Sequence, residues 1–475
     1  MSKKLGLLIA LVGLCALSLF LLSCGSSSSR PSGLLYVLTE GTNGVGNNVT
    51  SFAIDLSSGN LSLINSNAST CTTSGVDCGP PLDIVLDPTG ATAFVLNQGI
   101  PCQQAPAPSL KCVLDQNGVP TFSIPPTIYP YNIGSDGSFS SPGTPILLSH
   151  PTSNTDTEDD ADLGIAMVRD TAGQFLFEIN QGSIPNPTLG TCPHAPDPTK
   201  EFDACPSISV FAMKPGSTTL TLTGNVCNGV PCPFRLSRIP TALSTITFTP
   251  QGGSPTELLF VTSNNDPVLH NDNTVSVYAV ASDGTLTEQP GSPYATTTDP
   301  LSVQAVNTNP PGQTDGGVFV YVGSQPTAAG ALNIFQLCTV VNAICTQTDV
   351  TNALLIPVTT PPPPAPGANP VAMLVDPTNT FLYVACENSS QVFGYKINAT
   401  SGALSALTPT TSQPTGSHPV ALALHPSVNS SGAFLYTSNS VSSNISGFSV
   451  STTTGSMGNP ITVNSPSTPS GMAAR

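Results

Sequence analysis

From residue 33 onward apolar and polar positions alternate in short runs, and the same order of runs keeps returning. Each unit opens with an apolar stretch after X-Pro, as in "PPLDIVLDP", "NPVAMLVDP" and "HPVALALHP". Looser versions are "DPLSVQAVN", "IPTALSTITF" and "DLGIAMVRD". A turn follows, and "DPTG" at 87–90 places Asp, Pro and Gly where a type I turn wants them. The second run reads "FLYVACEN", "FLYTSNS", "LLFVTSNN", "VFVYVGSQ", "AFVLNQG", "FLFEINQG" or "LLYVLTEG". The third alternates, as in "NTVSVYAVASDGTL" and "SQVFGYKINATSGAL", ends in a Ser/Asp-Gly turn, and leads to a weaker fourth run. Period-two alternation between glycine turns predicts strands, and no stretch after residue 24 keeps a helical period.

Four antiparallel strands recurring at one period predict an all-β fold, a β-propeller. The opening run is apolar at nearly every position, so it is expected to be the innermost and most buried strand of its blade. Proline at its first residue costs no ladder donor. Complete units open near residues 82, 163, 241, 301, 371 and 420. A seventh has strands two to four at 34–64 but no opening strand, and "PSGMAAR" at 469–475 is an opening strand with nothing after it. The two chain ends are therefore expected to build one blade together. A ring left open would expose sheet edges. Residues 33–475 are predicted to form one seven-bladed propeller, closed by its C-terminal strand.

The first residues carry a different message. Lys3 and Lys4 precede an apolar run over 5–22, and "LLSC" puts Cys24 where a lipoprotein signal has its lipidated cysteine. Residues 1–23 read as a signal peptide and 24–32, "CGSSSSRPS", as a flexible tether. The competing reading is a retained transmembrane anchor. Lipidation implies the cell envelope, and Gly25 suits the outer membrane where the cell has one. Without Lys3 and Lys4 the formal charge of −16 becomes −18. Nucleic acid and anionic lipid are poor partners for such a surface, so the membrane is expected to be met through the anchor alone and the chain to be a monomer.

Beyond Cys15 and Cys24 of the signal, ten cysteines fall in close sequence pairs: Cys71 and Cys78, Cys102 and Cys112, Cys192 and Cys205, Cys227 and Cys232, Cys338 and Cys345. In an exported chain these read as local disulfides, with Cys386 left alone as a buried small residue. Zinc is the rival, but no pair has C-x-x-C spacing or a matching histidine pair.

The "LYV" of the second run and the "N-x-V-x-x-F/Y…S/D-G-x-L" phrase of the third resemble the seven-bladed lactonase family and the related YVTN surface-protein repeats over about residues 33–475. That resemblance implies the propeller fold and, for its cytosolic members, opening of 6-phosphogluconolactone by charged residues around the central channel. No motif here lets those residues be carried over one by one.

Strand order gives each loop a face. Loops from strand four to the next strand one share a face with loops from strand two to three, and the long inserts at 65–80, 98–127, 151–162, 181–207, 224–238, 263–273 and 357–368 fall there. Four of the five cysteine pairs lie in them; Cys338 and Cys345 flank a three–four turn on the opposite face. A stapled face suggests a preorganised recognition surface for a small molecule or protein. Arg238, Asp299 and His418 sit just before inner strands, with Asp162 before a fourth. Such a set could polarise a carbonyl, position water and act as base, or simply hydrate the mouth. "DTEDDAD" at 156–162 could hold calcium through Asp156, Glu158, Asp160 and Asp162, or be a solvated acidic loop. Asp266, His270 and Asp272, and His194 in its stapled loop, are weaker metal candidates. The expected protein is a lipid-anchored envelope propeller that binds a ligand through its insert face. The alternative is a lactonase at the channel mouth, and a structural spacer is the third class.

Overall fold

The computed structural model describes residues 33–41, 47–64, 68–70, 79–101, 122–124, 126–148, 164–181, 206–227, 229–250, 253–264, 273–309, 317–341, 345–425 and 433–475. Seven antiparallel sheets form the blades. Blade 1 joins both chain ends, in the order Thr468–Ala474, Leu34–Glu40, Asn48–Ile54, Leu61–Leu63 from the axis outward. The inner strands of blades 2 to 7 are Pro81–Leu86, Gly164–Arg169, Ile239–Phe248, Pro300–Asn307, Pro370–Val375 and Pro419–His425. Each pairs with a second strand: Thr92–Asn97, Phe175–Asn180, Thr256–Asn264, Val318–Ser324, Phe381–Cys386 and Ala433–Asn439 in the same order. Neighbouring inner strands touch all the way round the ring, blade 7 meeting blade 1. The sequence repeat, its seven units and its split blade are all present.

Burial within a blade departs from expectation. The opening strand is innermost but not most buried: in Pro370–Val375 only Pro370 is fully covered. The second strand is the dry one, with every residue buried in Thr92–Asn97, Phe175–Asn180, Val318–Ser324, Phe381–Cys386 and Ala433–Asn439. The innermost strand borders the channel and has a neighbour on one edge only. The second has strands on both edges and a blade against each face.

The apolar core is a set of layers between blades. One joins Leu35 and Val37 of blade 1 to Ala423, Phe434 and Tyr436 of blade 7. Another joins Phe319 and Tyr321 of blade 5 to Leu382 and Val384 of blade 6. Each large side chain so buried contributes about 1.5–3 kcal/mol relative to exposure.

These layers explain the repeat's motifs. The second-strand tyrosine of one blade donates to the glycine carbonyl of the next blade's three–four turn: Tyr321 to Gly402 at 2.9 Å, Tyr383 to Gly455 at 2.8 Å, Tyr436 to Gly59 at 2.8 Å. A phenylalanine two residues earlier packs against the same glycine in blades 5 and 6. A Cβ at Gly402 would stand 2.3 Å from Phe319 Cδ1, and one at Gly455 2.3 Å from Phe381 Cδ1. Both glycines also have positive φ, 68° and 69°, so the turn needs glycine twice over.

On the same face, the one–two turns of blades 2, 3 and 6 are tied by aspartate. Asp87 Oδ1 accepts the Thr92 amide at 2.7 Å, while Oδ2 accepts Gly216 N–H of blade 3 at 2.8 Å. Burial alone pushes the Asp87 carboxyl up, but these hydrogen bonds and those from Thr89 win and hold it below its usual range. Asp170 and Asp376 cap the same turn in blades 3 and 6, accepting Phe175 and Phe381 N–H at 2.8 and 2.7 Å.

Cys338 and Cys345 are bridged and buried, with Cα atoms 5.7 Å apart, ahead of a short helix at Gln347–Thr351. Cys232 is disulfide-bonded and directly follows the hairpin that carries Cys227. Cys386 is free and buried. Cys24, Cys71, Cys78, Cys102, Cys112, Cys192 and Cys205 lie outside the described residues. Among the described residues no helix is long and apolar enough to cross a membrane.

Candidate functional site

The mouth on the insert face has a repeating frame. The residue before each inner-strand proline offers its carbonyl to the amide just after the second strand. The pairs are Gln98 to Pro80 at 2.9 Å, Gln325 to Asp299 at 3.0 Å, Glu387 to Asn369 at 2.8 Å and Ser440 to His418 at 2.9 Å. Just beyond, every inner strand carries a bulge, for example between Pro300 and Ser302 or Pro419 and Ala421. Bulges re-aim side chains at the ends of strands.

In blades 5, 6 and 7 the residue before proline is Asp299, Asn369 and His418, with φ of 60°, 61° and 60°. Left-handed backbone costs an L-residue about 1–2 kcal/mol, so three polar residues are held there by the frame around them. Asn264 Nδ2 donates to Asp299 Oδ1 at 2.8 Å, and the Asp299 amide donates to Asn273 Oδ1 at 2.9 Å. Asn369 N–H donates to Gln325 Oε1, and its Nδ2 to Glu387 Oε2. The His418 carbonyl takes a second bond, from Ser440 Oγ at 3.2 Å.

Several polar atoms on this face are buried without a partner: His418 Nδ1 and the Oδ1 atoms of Asn97, Asn264 and Asn439. Each asparagine ends a second strand and spends its amide nitrogen on the frame. Asn97 binds Thr70 O at 3.0 Å, and Asn439 binds Asn444 Oδ1 and Ser446 Oγ at 2.8 and 2.9 Å. A buried acceptor left unmade costs about 1–3 kcal/mol, which a donor supplied from outside recovers.

Of the mouth residues singled out in the sequence, the structure describes Arg238, Asp299 and His418, at the entrances of blades 4, 5 and 7. Arg238 stands at the entrance of blade 4, one position earlier than its counterparts, because Ile239 takes the place before Pro240. Its Nη1 donates to Ser237 Oγ at 3.2 Å, and its charge is felt by Tyr278 in the third strand of that blade. Asp299 and His418 open blades 5 and 7, with Asn369 between them. Sequence reading missed Asn369, Gln325, Glu387, Asn264 and Asn439, although "NP" before "VAMLV" and the Asn closing several second strands were visible. Asp162, Asp156, Glu158, Asp160, His194, Asp266, His270 and Asp272 lie outside the described residues. Among the described residues no cluster of three His, Cys, Asp or Glu is placed to hold a metal.

Two further groups line or back this region. Asp83, on the inner strand of blade 2, accepts Ile84 N–H and Met167 N–H at 2.8 Å each, the second reaching across to blade 3. Burial outweighs these bonds and pushes its carboxyl up to about 6. Burial also pushes the Cys386 thiol up to about 12, so at neutral pH it is a protonated, apolar filler and not a nucleophile.

No family model matches the chain, and no curated protein matches it in sequence. Solved structures do match in shape. A periplasmic gluconolactonase of Pseudomonas aeruginosa aligns over 93% of this chain and 98% of its own, with TM-score 0.56 and 14% identity. A Bacteroides uniformis protein provisionally named a 6-phosphogluconolactonase aligns over 94% and 100%, with TM-score 0.54 and 11% identity. A Lactobacillus plantarum protein aligns over 93% and 99%, with TM-score 0.53 and 12% identity. At such identities the likeness is one of fold: the chain is a seven-bladed β-propeller with the same architecture as these structures.

Proposed function

We propose that the mouth on the insert face binds a small ligand that presents hydroxyl donors, in a protein held at the cell envelope by lipid on Cys24. The observation that carries this reading is the set of buried, unpartnered acceptors, Oδ1 of Asn97, Asn264 and Asn439, on a rigid frame that also holds Asp299 and Glu387. Acceptors and carboxylates call for donors. A phosphate or other anionic group adds acceptors in place of a hydroxyl donor and meets an acidic chain. Neutral polyols, sugars and sugar lactones fit that chemistry.

The second reading is hydrolysis of such a lactone, favoured by His418, whose Nδ1 is unpartnered and whose backbone is held in a left-handed conformation. The gluconolactonase and 6-phosphogluconolactonase names of the similar structures agree with it. In this reading water adds to the lactone carbonyl carbon while His418 takes its proton. The ring C–O bond then breaks, and the proton passes to the leaving ring oxygen, giving the open hydroxy acid. Arg238, at the entrance of blade 4, would hold the charge on the carbonyl oxygen.

Calorimetric titration of the folded domain with neutral sugars, their lactones and the phosphorylated counterparts tests both readings. Binding of neutral ligands without turnover supports the first, and turnover supports the second. Preference for the phosphorylated forms overturns the assignment of ligand chemistry.

A further inference from the structure

The chain enters the propeller from one face only. The second strand of blade 1 runs antiparallel to the closing strand, with Leu35 opposite Ala474 and Glu40 opposite Thr468. Its beginning therefore lies where inner strands end, on the face of the one–two and three–four turns, and its end lies at the mouth. The surroundings of residue 33 agree. Leu34 N–H donates to Arg475 O at 3.0 Å, and Gly33 O accepts Ile54 N–H at 2.9 Å. A Cβ on Gly33 would stand 2.9 Å from both His425 Nε2 and Leu56 Cδ2, and the Arg475 guanidinium donates to Gly90 O. His425 ends the inner strand of blade 7, Leu56 sits in the three–four turn of blade 1, and Gly90 in the one–two turn of blade 2. All three belong to the turn face.

Cys24 is only nine residues before Gly33. Nine residues of chain can span at most about 30 Å. To bring the mouth against lipid, it would have to pass two outer strands, about 10 Å, and climb a strand of about 23 Å. That path consumes the whole reach at full extension. Bringing the turn face to lipid needs no such path.

We propose that in the lipidated protein the turn face lies toward the membrane and the mouth is turned away from it, open to ligands arriving from the aqueous side. This rests on lipid attachment at Cys24. It makes the one–two and three–four turns a membrane-apposed surface. It also makes the ligand of the mouth a soluble molecule, not a lipid of the anchoring bilayer.

Energy transfer measures the orientation directly. Ser282, in the three–four turn of blade 4, and Thr298, at the mouth beside Asp299, are both exposed. Single dyes on Ser282→Cys and Thr298→Cys in the full lipidated chain are compared in vesicles carrying acceptor headgroups. Transfer from position 282 should be severalfold the greater, and a tether lengthened several-fold with Gly/Ser should narrow the difference. Equal or reversed transfer in protein that floats with the vesicles overturns the orientation. Failure of the wild type to float, matching Cys24→Ser, removes the anchor on which it rests and leaves the mouth itself untouched.

Discussion

Tyr436 donates its phenol to the carbonyl of Gly59 at 2.8 Å, across 377 residues of sequence. The same bond joins Tyr321 to Gly402 and Tyr383 to Gly455, so the ring closes with a contact of the kind that spaces its other blades. Tyr436→Phe should lower stability by about 1–3 kcal/mol, since it leaves the Gly59 carbonyl buried and unpaired. Gly59→Ala should cost more, because its Cβ would stand 2.4 Å from Phe434 Cδ1 at a φ of 75°. Thermal unfolding of both variants checks the order, and equal Tm values would refute it.

Deleting residues 468–475 removes the inner strand of blade 1 together with the Leu34–Arg475 backbone pair. The ordered edge of Leu34–Glu40 is then bare, and blade 7 loses its neighbour. Unfolding should become less cooperative and proteolysis faster. An unchanged melting curve and protease pattern would show that the ring does not depend on its clasp.

The fold was legible because the repeat writes its chemistry seven times. Tyr or Phe takes the same place in each second strand, and Tyr321, Tyr383 and Tyr436 meet the glycine turn of the next blade in the same way. The relative burial of the inner and second strands was not legible, because both are apolar and only the channel distinguishes them. At the mouth, Asp299 and His418 stood out as chargeable residues, whereas Asn369 did not. What places it with them is a left-handed φ of 61° before proline, a backbone property that asparagine, aspartate and histidine share and that their side-chain chemistry does not reveal. The unpartnered Oδ1 of Asn439 depends on where its Nδ2 is spent, which is settled by Asn444 and Ser446 in the folded blade.

Asp83 gives a pH signature. Its carboxyl is raised from 3.8 to about 6, so between those values the folded state binds more protons than the unfolded chain. Its contribution is therefore most favourable below about 4 and is lost as pH rises through about 6. Asp83→Asn has no such titration. Stability of the wild type relative to Asp83→Asn should improve as pH falls from 7 to 5, read by denaturant unfolding at each pH. A difference independent of pH would mean that the two amide hydrogen bonds hold the carboxyl at its ordinary value.

His418 tests whether the mouth trades stability for function. Its φ of 60° strains an L-residue, and its Nδ1 has no partner, so the fold gains nothing evident from this imidazole. Glycine adopts that backbone without strain but loses more entropy on folding, which leaves His418→Gly a net gain of up to about 1 kcal/mol. His418→Ala keeps the strain and should gain nothing. If the imidazole meets the ligand, both variants should lose affinity for a neutral sugar lactone by about tenfold or more. Calorimetry and thermal melts on the same preparations separate the two effects. His418→Gly should melt higher than wild type while binding worse, whereas His418→Ala should bind worse without melting higher. A His418→Gly protein that melts lower would show that the imidazole supports the frame. Unchanged affinity in both would move the ligand away from blade 7, toward the Asp299 and Asn264 side of the mouth.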